Sequence, residues 1–341
     1  MLVLVTGGAG YIGSHTCAEL LAHGHEVVVV DNYSNSSPAV LDVVRSLGGA
    51  GLVAHEADVR DARGLDEIFG KYRIDAVIHF AARKSVPESV RKPAEYFQTN
   101  LTGTINLVRS MLDHQVGRLV FSSSCSIYGD QYREPISERD LPAPTNPYAR
   151  SKLICEQVLA DACAASEDLS VLALRYFNPA GAHRSGLLGD DPAGAPGNLM
   201  PLVTKVAAGL RDKLTIYGTD YGTPDGSAVR DYVHVLDVAR AHRIGLQRLH
   251  GQAGMRALNV GTGDGASVLE LVDTFRRTCG VAVPYEITGR RPGDVASLVA
   301  DPGLMVRQWG WQPGLGLAAM CRDAWRFQQR NRITGGKTEC E

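Results

Sequence analysis

The sequence predicts an α/β fold: a Rossmann-type, doubly wound parallel sheet with a smaller α/β lobe beside it. Three observations indicate this fold. Apolar runs alternate with amphipathic helical stretches through the first half of the chain, which is the order of a parallel sheet covered by helices. The first apolar run breaks into glycines spaced three residues apart. The length of 341 residues also exceeds the range of about 250–300 residues at which single cores stop growing, which favours two lobes.

The first strand, predicted over residues 2–6, leads into Gly7, Gly10 and Gly13 and then directly into a helix. Glycines let such a turn tighten and let the backbone reach a pyrophosphate, which the helix N-terminus attracts. A second strand ends at Asp31, eighteen residues past Gly13. Its carboxylate can accept a hydrogen bond from a ribose 2′-hydroxyl and repels a 2′-phosphate. The pattern therefore predicts NAD as the cofactor.

Further strands and helices continue the alternation up to residue 176. Several of the strands are continuous apolar runs, as expected of strands that are buried on both faces. In such sheets ligands bind outside the carboxyl ends of the strands. We expect strands near 2–6, 26–30, 52–54, 75–80, 118–124 and 171–175, and helices near 12–23, 37–47, 61–71, 94–114 and 148–164.

The composition changes after residue 177. Residues 178–230 are rich in Gly, Pro and Asp, whereas 231–263 return to the strand–helix–strand pattern of the first half. We therefore expect an NAD-binding domain formed by 1–177 plus 231–263 and a substrate-binding domain formed by 178–230 plus 264–330. The elements predicted here are helices near 199–210, 236–249, 267–278 and 316–330, strands near 232–235, 257–260 and 283–287, and a flexible tail over 334–341.

The composition is that of an ordinary soluble protein, with 44% hydrophobic and 21% charged residues and a formal net charge of −2. This balance offers no electrostatic attraction to nucleic acid or to an anionic membrane. No run of about 18 apolar residues occurs, and the first strand begins at residue 2, so we expect neither a membrane span nor a signal peptide. The seven cysteines and ten histidines lack metal-ligand spacing, which predicts no metal site and a cytoplasmic location.

The segment 145–152 predicts a reactive pair on one helix face. Asn146 and Pro147 are typical of an N-cap and a first helical residue, which places Tyr148 in the first turn and Lys152 one turn later. A lysine ammonium about 5 Å away lowers a phenol pKa by roughly two units, and an oxidised nicotinamide adds positive charge. We therefore expect Tyr148 to have a pKa of about 7 and to exchange a proton with an alcohol. The run Ser122-Ser123-Ser124, at a neighbouring strand end, supplies a hydroxyl for the reacting oxygen.

Eight motifs spread over nearly the whole chain belong together. They are TGGAGYIGSH at 6–15, VIHFA at 77–81, FSSS at 121–124, YGD at 128–130, RYFNP at 175–179, NLMP at 198–201, RDYVHV at 230–235 and LNVG at 258–261. With these motifs the chain resembles the extended short-chain dehydrogenase/reductase superfamily and, within it, the UDP-glucose 4-epimerase family. The glycine loop is common to the superfamily, and the later motifs are more specific.

The resemblance implies a retained NAD, a UDP-sugar substrate and a homodimer. It makes Tyr148 the base, Lys152 its charge partner and ribose anchor, and Ser124 the partner of the sugar's 4-oxygen. The implied reaction interconverts UDP-galactose and UDP-glucose through a 4-keto intermediate. The residues implied to surround NAD are Tyr11, Ile12, Asp31, Asn32, Asp58, Val59, Phe80, Ala81, Lys84, Asn100 and Phe177. Those implied to receive the UDP-sugar are Asn178, Asn198, Leu199, Tyr217, Arg230, Arg291 and Asp294.

Three alternative functions compete with this one. A sugar-nucleotide 4,6-dehydratase needs an acidic pair beside the rim hydroxyl, where this chain has Ser124-Cys125-Ser126. A 4-epimerase acting on UDP-xylose, UDP-glucuronate or an N-acetylated UDP-sugar fits the same motifs. A catalytically silent NAD-sensing protein would have no reason to keep Ser124, Tyr148 and Lys152 together.

Leu298 is a candidate specificity residue. Some members of the family carry a tyrosine shortly after the Arg-x-Gly-Asp loop, where this chain has leucine. In the family, small residues at this position admit N-acetylated sugars and tyrosine excludes them. Leucine is intermediate in volume, so the resemblance implies partial acceptance of UDP-N-acetylgalactosamine.

Overall fold

The computed structural model describes residues 1–130, 134–192, 194, 197–291 and 293–335, without the side chains of 332–335. Its strands are β1 (Leu2–Thr6), β2 (Glu26–Asp31), β3 (Leu52–Glu56), β4 (Ala76–His79), β5 (Arg118–Ser122), β6 (Ser170–Tyr176), β7 (Asn178–Ala180), β8 (Leu214–Tyr217), β9 (Val229–His234), β10 (Gly254–Val260), β11 (Gly265–Ser267), β12 (Tyr285–Thr288) and β13 (Ser297–Leu298). Its α-helices are α1 (Tyr11–Ala22), α2 (Ala39–Gly48), α3 (Ala62–Lys71), α4 (Val86–Arg91), α5 (Pro93–Phe97), α6 (Gly103–Asp113), α7 (Pro147–Ala165), α8 (Leu199–Ala207), α9 (Val235–Arg248), α10 (Val268–Cys279), α11 (Gly303–Trp309) and α12 (Leu317–Gly335).

Seven parallel strands form the central sheet in the order β10-β6-β5-β4-β1-β2-β3. The chain builds outward from β1 to β3 and then returns to the other side of β1 with β4. The strand order therefore reverses between β1 and β4, which is the place where doubly wound sheets bind ligands. The predicted fold class is confirmed.

Both faces of the central sheet are buried. On one face Val3 and Val5 of β1 pack with α1, α2, α9 and α11. On the other face Leu4 packs with α3, α6 and α7. Alternate residues of one strand thus enter two different cores, which explains the continuous apolar runs of the sequence.

The smaller sheets lie later in the chain. Strand β9 pairs with β11 in antiparallel fashion and with β13 and β7 in parallel. Strands β8 and β12 form a separate parallel pair. A third apolar core joins these strands to α8, α10 and α12.

Two predicted helices differ from the structure. The single helix expected near 94–114 consists of α5, a π-helical turn over Gln98–Thr102, and α6. The final helix, expected to end near 330, continues to Gly335, so residues 334 and 335 of the predicted tail are helical and 336–341 lie outside the described residues. Periodicity alone also missed the short elements α4, α11, β7, β8, β11 and β13, because two to seven residues give too little pattern to detect.

Candidate active site

The glycine-rich turn follows β1 at the point where the strand order reverses. Gly7 has a φ of 69°, and a Cβ there would lie 2.7 Å from the backbone nitrogen of Ala81. A Cβ on Gly13 would lie 2.2 Å from the carbonyl oxygen of Gly7. Both positions therefore need glycine for the loop, α1 and the end of β4 to approach one another this closely.

The N-terminus of α1 opens directly from this turn. Gly10 occupies its N-cap position, and within the described chain no side chain caps this helix and no acidic residue lies in its first turn. The first N–H groups, including those of Tyr11 and Ile12, are thus free to bind an anion. Glycines without a Cβ next to uncapped amides fit the pyrophosphate of a dinucleotide.

Asp31, at the end of β2, is buried and stabilises the glycine-rich turn. Its carboxylate accepts hydrogen bonds from the backbone nitrogens of Ala9 and Tyr33, both at 2.9 Å. A carboxylate offers about four acceptor positions, so Asp31 can also accept a ribose hydroxyl. The next strand end carries Asp58, which accepts hydrogen bonds from Asn32 at 2.8 Å and from Arg60 at 2.7 and 2.9 Å. The bonds from Arg60 hold the pKa of Asp58 well below its usual value.

The other predicted cofactor residues lie around β4 and the π-helical turn. Asn100 is buried in that turn, where its amide donates to the carbonyl oxygen of Arg83 at 3.1 Å and to the Ser151 hydroxyl at 2.9 Å. Its oxygen accepts the Arg83 N–H at 2.8 Å. Asn100 thereby fixes the loop after β4 to α7. The remaining members differ in exposure: Val59 and Phe177 are buried, Phe80 and Ala81 are half-buried, and Lys84 is exposed.

Ser124, Tyr148 and Lys152 meet at the end of β5. Asn146 caps α7 by accepting the backbone N–H of Ala149 at 2.9 Å, which places Tyr148 in the first turn. The Tyr148 phenol interacts with the Ser124 side chain, whose hydroxyl also donates to the Ser126 hydroxyl at 3.1 Å. Lys152 is buried one turn later, and its ammonium donates to the carbonyl oxygen of Ser122 at 2.8 Å. The sequence motifs thus come together around one strand end.

In this structure the pKa of the Tyr148 phenol is raised rather than lowered. Burial raises the pKa of the Tyr148 phenol to about 12, and the interaction with Ser124 only partly opposes this effect. Burial likewise lowers the pKa of Lys152 to about 8. Burial here outweighs the lysine charge that the four-residue spacing suggests, and the pKa of about 7 expected with NAD+ bound stays a prediction.

The predicted substrate residues form two groups on the later elements. In the first group, Arg291 pairs with Asp294 at 2.8 Å, and its guanidinium lies 5.5 Å from the ring centroid of Tyr217. In the second group, Leu298 of β13 is the register partner of Arg230 in β9. Leu298 is buried in an apolar cluster with Phe177 and Cys125.

Asn178 and Asn198 occupy element ends in the same half of the chain. Asn178 begins β7, and Asn198 immediately precedes α8, which begins at Leu199. The Asn198 amide donates to the Asp190 carboxylate at 2.8 Å and does not cap the helix.

Sequence reasoning missed a buried ion pair next to the site. Glu156 of α7 and Arg175 of β6 are paired at 2.6 Å, and Ser123 donates to the same carboxylate at 2.5 Å. A signal was present: Arg175 is the one charged residue in the otherwise uncharged run Ser170–Tyr176, and Glu156 follows Lys152 by one helical turn. Within the described chain no group of three or more His, Cys, Asp or Glu residues is arranged to hold a metal ion, and no helix is long and apolar enough to cross a bilayer.

Comparisons with known proteins agree with this geometry. The model of the NAD dependent epimerase/dehydratase family matches residues 3–261. The UDP-glucose 4-epimerase of Bacillus subtilis (strain 168) is 49% identical over 339 residues, covering 99% of both chains.

Two solved structures are also similar over nearly their whole length. A UDP-glucose-4-epimerase from Stenotrophomonas maltophila, with bound NAD and formylated UDP-arabinopyranose, is 48% identical with a TM-score of 0.95, covering 98% of this chain and 99% of that one. A UDP-glucose 4-epimerase from Bifidobacterium longum, in complex with NAD+ and UDP, is 44% identical with a TM-score of 0.94, covering 97% of this chain and 99% of that one. The chain therefore belongs to the NAD dependent epimerase/dehydratase family.

Proposed function

We propose that the protein is a UDP-glucose 4-epimerase that interconverts UDP-galactose and UDP-glucose with retained NAD. The observation that carries the proposal is the meeting of Ser124, Tyr148 and Lys152 at the strand end beside the glycine-rich turn. Relatives of this name share nearly half of their residues with the chain over its whole length, and two of them hold NAD in their structures.

The site residues divide the proton chemistry between them. Ser124 holds the sugar's 4-oxygen, and Tyr148 takes the proton from the 4-hydroxyl and later returns it. When bound, NAD would supply the acceptor for the C4 hydride in the first half of the reaction and the hydride donor in the second half. Between these two events the flat 4-keto sugar turns about its bond to the diphosphate and presents its other face to Tyr148, so the configuration at C4 is inverted.

The later elements hold the nucleotide part of the substrate. Arg230 and Arg291 have the planar, forked donors that match diphosphate oxygens. Asn178, Asn198, Leu199, Tyr217 and Asp294 complete the nucleotide and sugar contacts. Because the 4-keto sugar must rotate within the site, most of the binding energy should come from contacts with UDP rather than with the sugar ring.

The same proposal covers domains, assembly and location. Residues 1–177 plus 231–263 bind NAD, and 178–230 plus 264–330 bind the UDP-sugar. The chain forms a homodimer, as the resemblance to the family implies. It resides in the cytoplasm, in keeping with the free thiols of the six cysteines that the structure describes.

Purified protein given UDP-galactose without added NAD tests the activity. We expect UDP-glucose to form, because the cofactor is retained and regenerated in each cycle. Tyr148→Phe should lower the rate by about 10²–10⁴-fold while the affinity for NAD, measured by calorimetry, stays near wild type. Absence of product even with added NAD would contradict the proposal.

A further inference from the structure

A buried ion pair lies directly behind the catalytic strand end. Glu156 stands one helical turn after Lys152 and two turns after Tyr148, so all three share one face of α7. Arg175 reaches Glu156 from β6 with two hydrogen bonds, at 2.6 and 3.0 Å. Both charged side chains are more than nine-tenths buried.

The ion pair is hydrogen-bonded to Ser123, the residue that precedes Ser124. Ser123 is fully buried, and its hydroxyl donates to the Glu156 carboxylate at 2.5 Å. Its backbone N–H donates to the carbonyl oxygen of Leu174 at 3.0 Å. Ser123 is thereby fixed on one side to β6 and on the other to the helix that carries Tyr148, and it holds the adjoining Ser124 at the strand end.

The network extends to the next segments of the site. Arg175 donates to the Tyr128 hydroxyl at 3.0 Å, and Tyr128 donates to the Asn259 side chain at 2.8 Å. Asn259 in turn donates to the carbonyl oxygen of Ile136 at 2.9 Å. The end of β5, β6 and α7 therefore meet at the Glu156 carboxylate, and β10 joins the network through Tyr128.

A gain in folding stability does not by itself explain why the Glu156–Arg175 ion pair is buried here. Burying two charges costs about as much free energy as their attraction returns, so a buried ion pair adds little net stability compared with apolar side chains. The apolar residues Cys155 and Leu159 already pack α7 against the sheet. Apolar contacts are non-directional, whereas the bonds to Glu156 fix the rotation of α7 and its position along its axis.

The charge of Glu156 also reaches Lys152. The groups facing Lys152 are the Phe121 ring and the Ser122 carbonyl of β5, the Cys155 thiol and Glu156 of α7, and His79 of β4. Burial lowers the pKa of His79 to about 3, which leaves it neutral. Burial also lowers the pKa of Lys152 to about 8, and the charge of Glu156 opposes that effect.

We propose that Glu156 is a positioning residue for the epimerase reaction. Held by Arg175, it aligns Ser124 with Tyr148 through Ser123 and keeps Lys152 in its ammonium form. This inference rests on the proposed function, since it assigns Glu156 a part in that same proton transfer.

Two variants separate the two effects. Glu156→Gln removes the charge and keeps an acceptor, so we expect kcat to fall about 10-fold or more and the alkaline limb of its pH profile to move to lower pH. Ser123→Ala removes only the hydroxyl, so kcat should fall while the alkaline limb stays in place. The KM for UDP-galactose should stay near wild type in both, because neither residue belongs to the nucleotide site.

Hydrogen–deuterium exchange of the unliganded protein gives a readout that does not depend on activity. Amides over residues 122–128 should exchange several-fold faster in both variants. Glu19→Gln is the matched control, since Glu19 is paired with Arg243 at 2.7 Å between α1 and α9. It should leave kcat, the pH profile and exchange over 122–128 unchanged.

Each outcome of these experiments either supports or overturns the inference. Wild-type kcat, pH profile and exchange in Glu156→Gln would overturn the inference while leaving the epimerase activity in place. If Glu156→Gln fails to fold, Ser123→Ala decides, and unchanged kcat with unchanged exchange would overturn the inference. A wild-type protein without turnover would overturn both this inference and the proposed function.

Discussion

At the scale of single residues, the phenol of Tyr148 is subject to two opposing effects. Burial favours the neutral form and raises its pKa to about 12, whereas the interaction with the Ser124 side chain favours the phenolate. In the chain without cofactor the Lys152 ammonium donates to a backbone carbonyl, and burial prevails. A further positive charge is needed before Tyr148 can act as a base near neutral pH.

Binding of NAD+ should therefore lower the pKa of Tyr148. In protein stripped of cofactor we expect the phenol to stay protonated up to pH 10, and we expect NAD+ to bring out a phenolate absorbance at lower pH. Ultraviolet difference titration with and without NAD+ measures this. The chain has 12 tyrosines, so Tyr148→Phe is the necessary control. An identical NAD+-induced signal in that variant would assign the absorbance to another residue.

Leu298 should influence which sugars are accepted. It is buried in the apolar cluster that includes Phe177 and lies in register with Arg230. Leu298→Tyr adds volume at this point, so we expect the turnover of UDP-N-acetylgalactosamine relative to UDP-galactose to fall about tenfold or more. Leu298→Met, which conserves volume, should keep the wild-type ratio. An unchanged ratio in the tyrosine variant would remove Leu298 as a specificity residue.

At the scale of elements, α7 connects local sequence to the site. Its N-cap Asn146 and its first residue Pro147 can be predicted from the sequence, and they place Tyr148 in the first turn. Its rotation depends on partners from other elements, since Asn100 bonds Ser151 and Arg175 bonds Glu156. The helix start is thus a local property and its orientation is a tertiary one.

Removal of the α7 cap should affect stability and activity together. Asn146→Ala removes the acceptor for the Ala149 N–H, which costs about 1 kcal/mol of unfolding free energy and loosens the turn that carries Tyr148. Asp61→Ala is the matched control, because Asp61 caps α3 in the same way. Denaturant unfolding should show similar losses for both, and kcat should fall only for Asn146→Ala. A similar fall of kcat in both variants would show that the Asn146 cap has no specific role in catalysis.

At the scale of the whole molecule, Asp231 joins the large sheet to the smaller one. It is fully buried in β9 and accepts the N–H and hydroxyl of Thr262, at 2.8 and 2.6 Å, just after β10. It also accepts the N–H groups of Gly263 at 2.9 Å and Ala300 at 3.1 Å. Four donors from two separate segments, residues 262–263 and residue 300, thus share one carboxylate.

Asp231→Asn should destabilise the fold. An amide nitrogen cannot accept hydrogen bonds, so either orientation of the asparagine leaves two of the four donors without their acceptor. We expect a loss of about 2 kcal/mol or more in unfolding free energy. Denaturant unfolding measures it, and wild-type stability would show that Asp231 does not hold the two sheets together.

Most of the fold was predictable because its signals are local. Apolar runs, the glycine turn after β1 and the cap of α7 act over a few residues, and the elements they predicted lie within a few residues of those found. The π-helical turn at Gln98–Thr102 was not predicted, because the side chain of Asn100 finds its partners in residues far along the chain. The short strands β7 and β13 exist only through pairing with β9.

The sequence by itself determined the fold class and the glycine-rich turn, and it predicted which residues carry the chemistry, since spacing along one strand or helix is set by backbone geometry. The tertiary structure alone decided the protonation of Tyr148, the partner of the Lys152 ammonium and the ion pair behind Ser124. These properties depend on burial and on contacts between distant segments. Desolvation acts through the surroundings that folding creates, so no local spacing contains it.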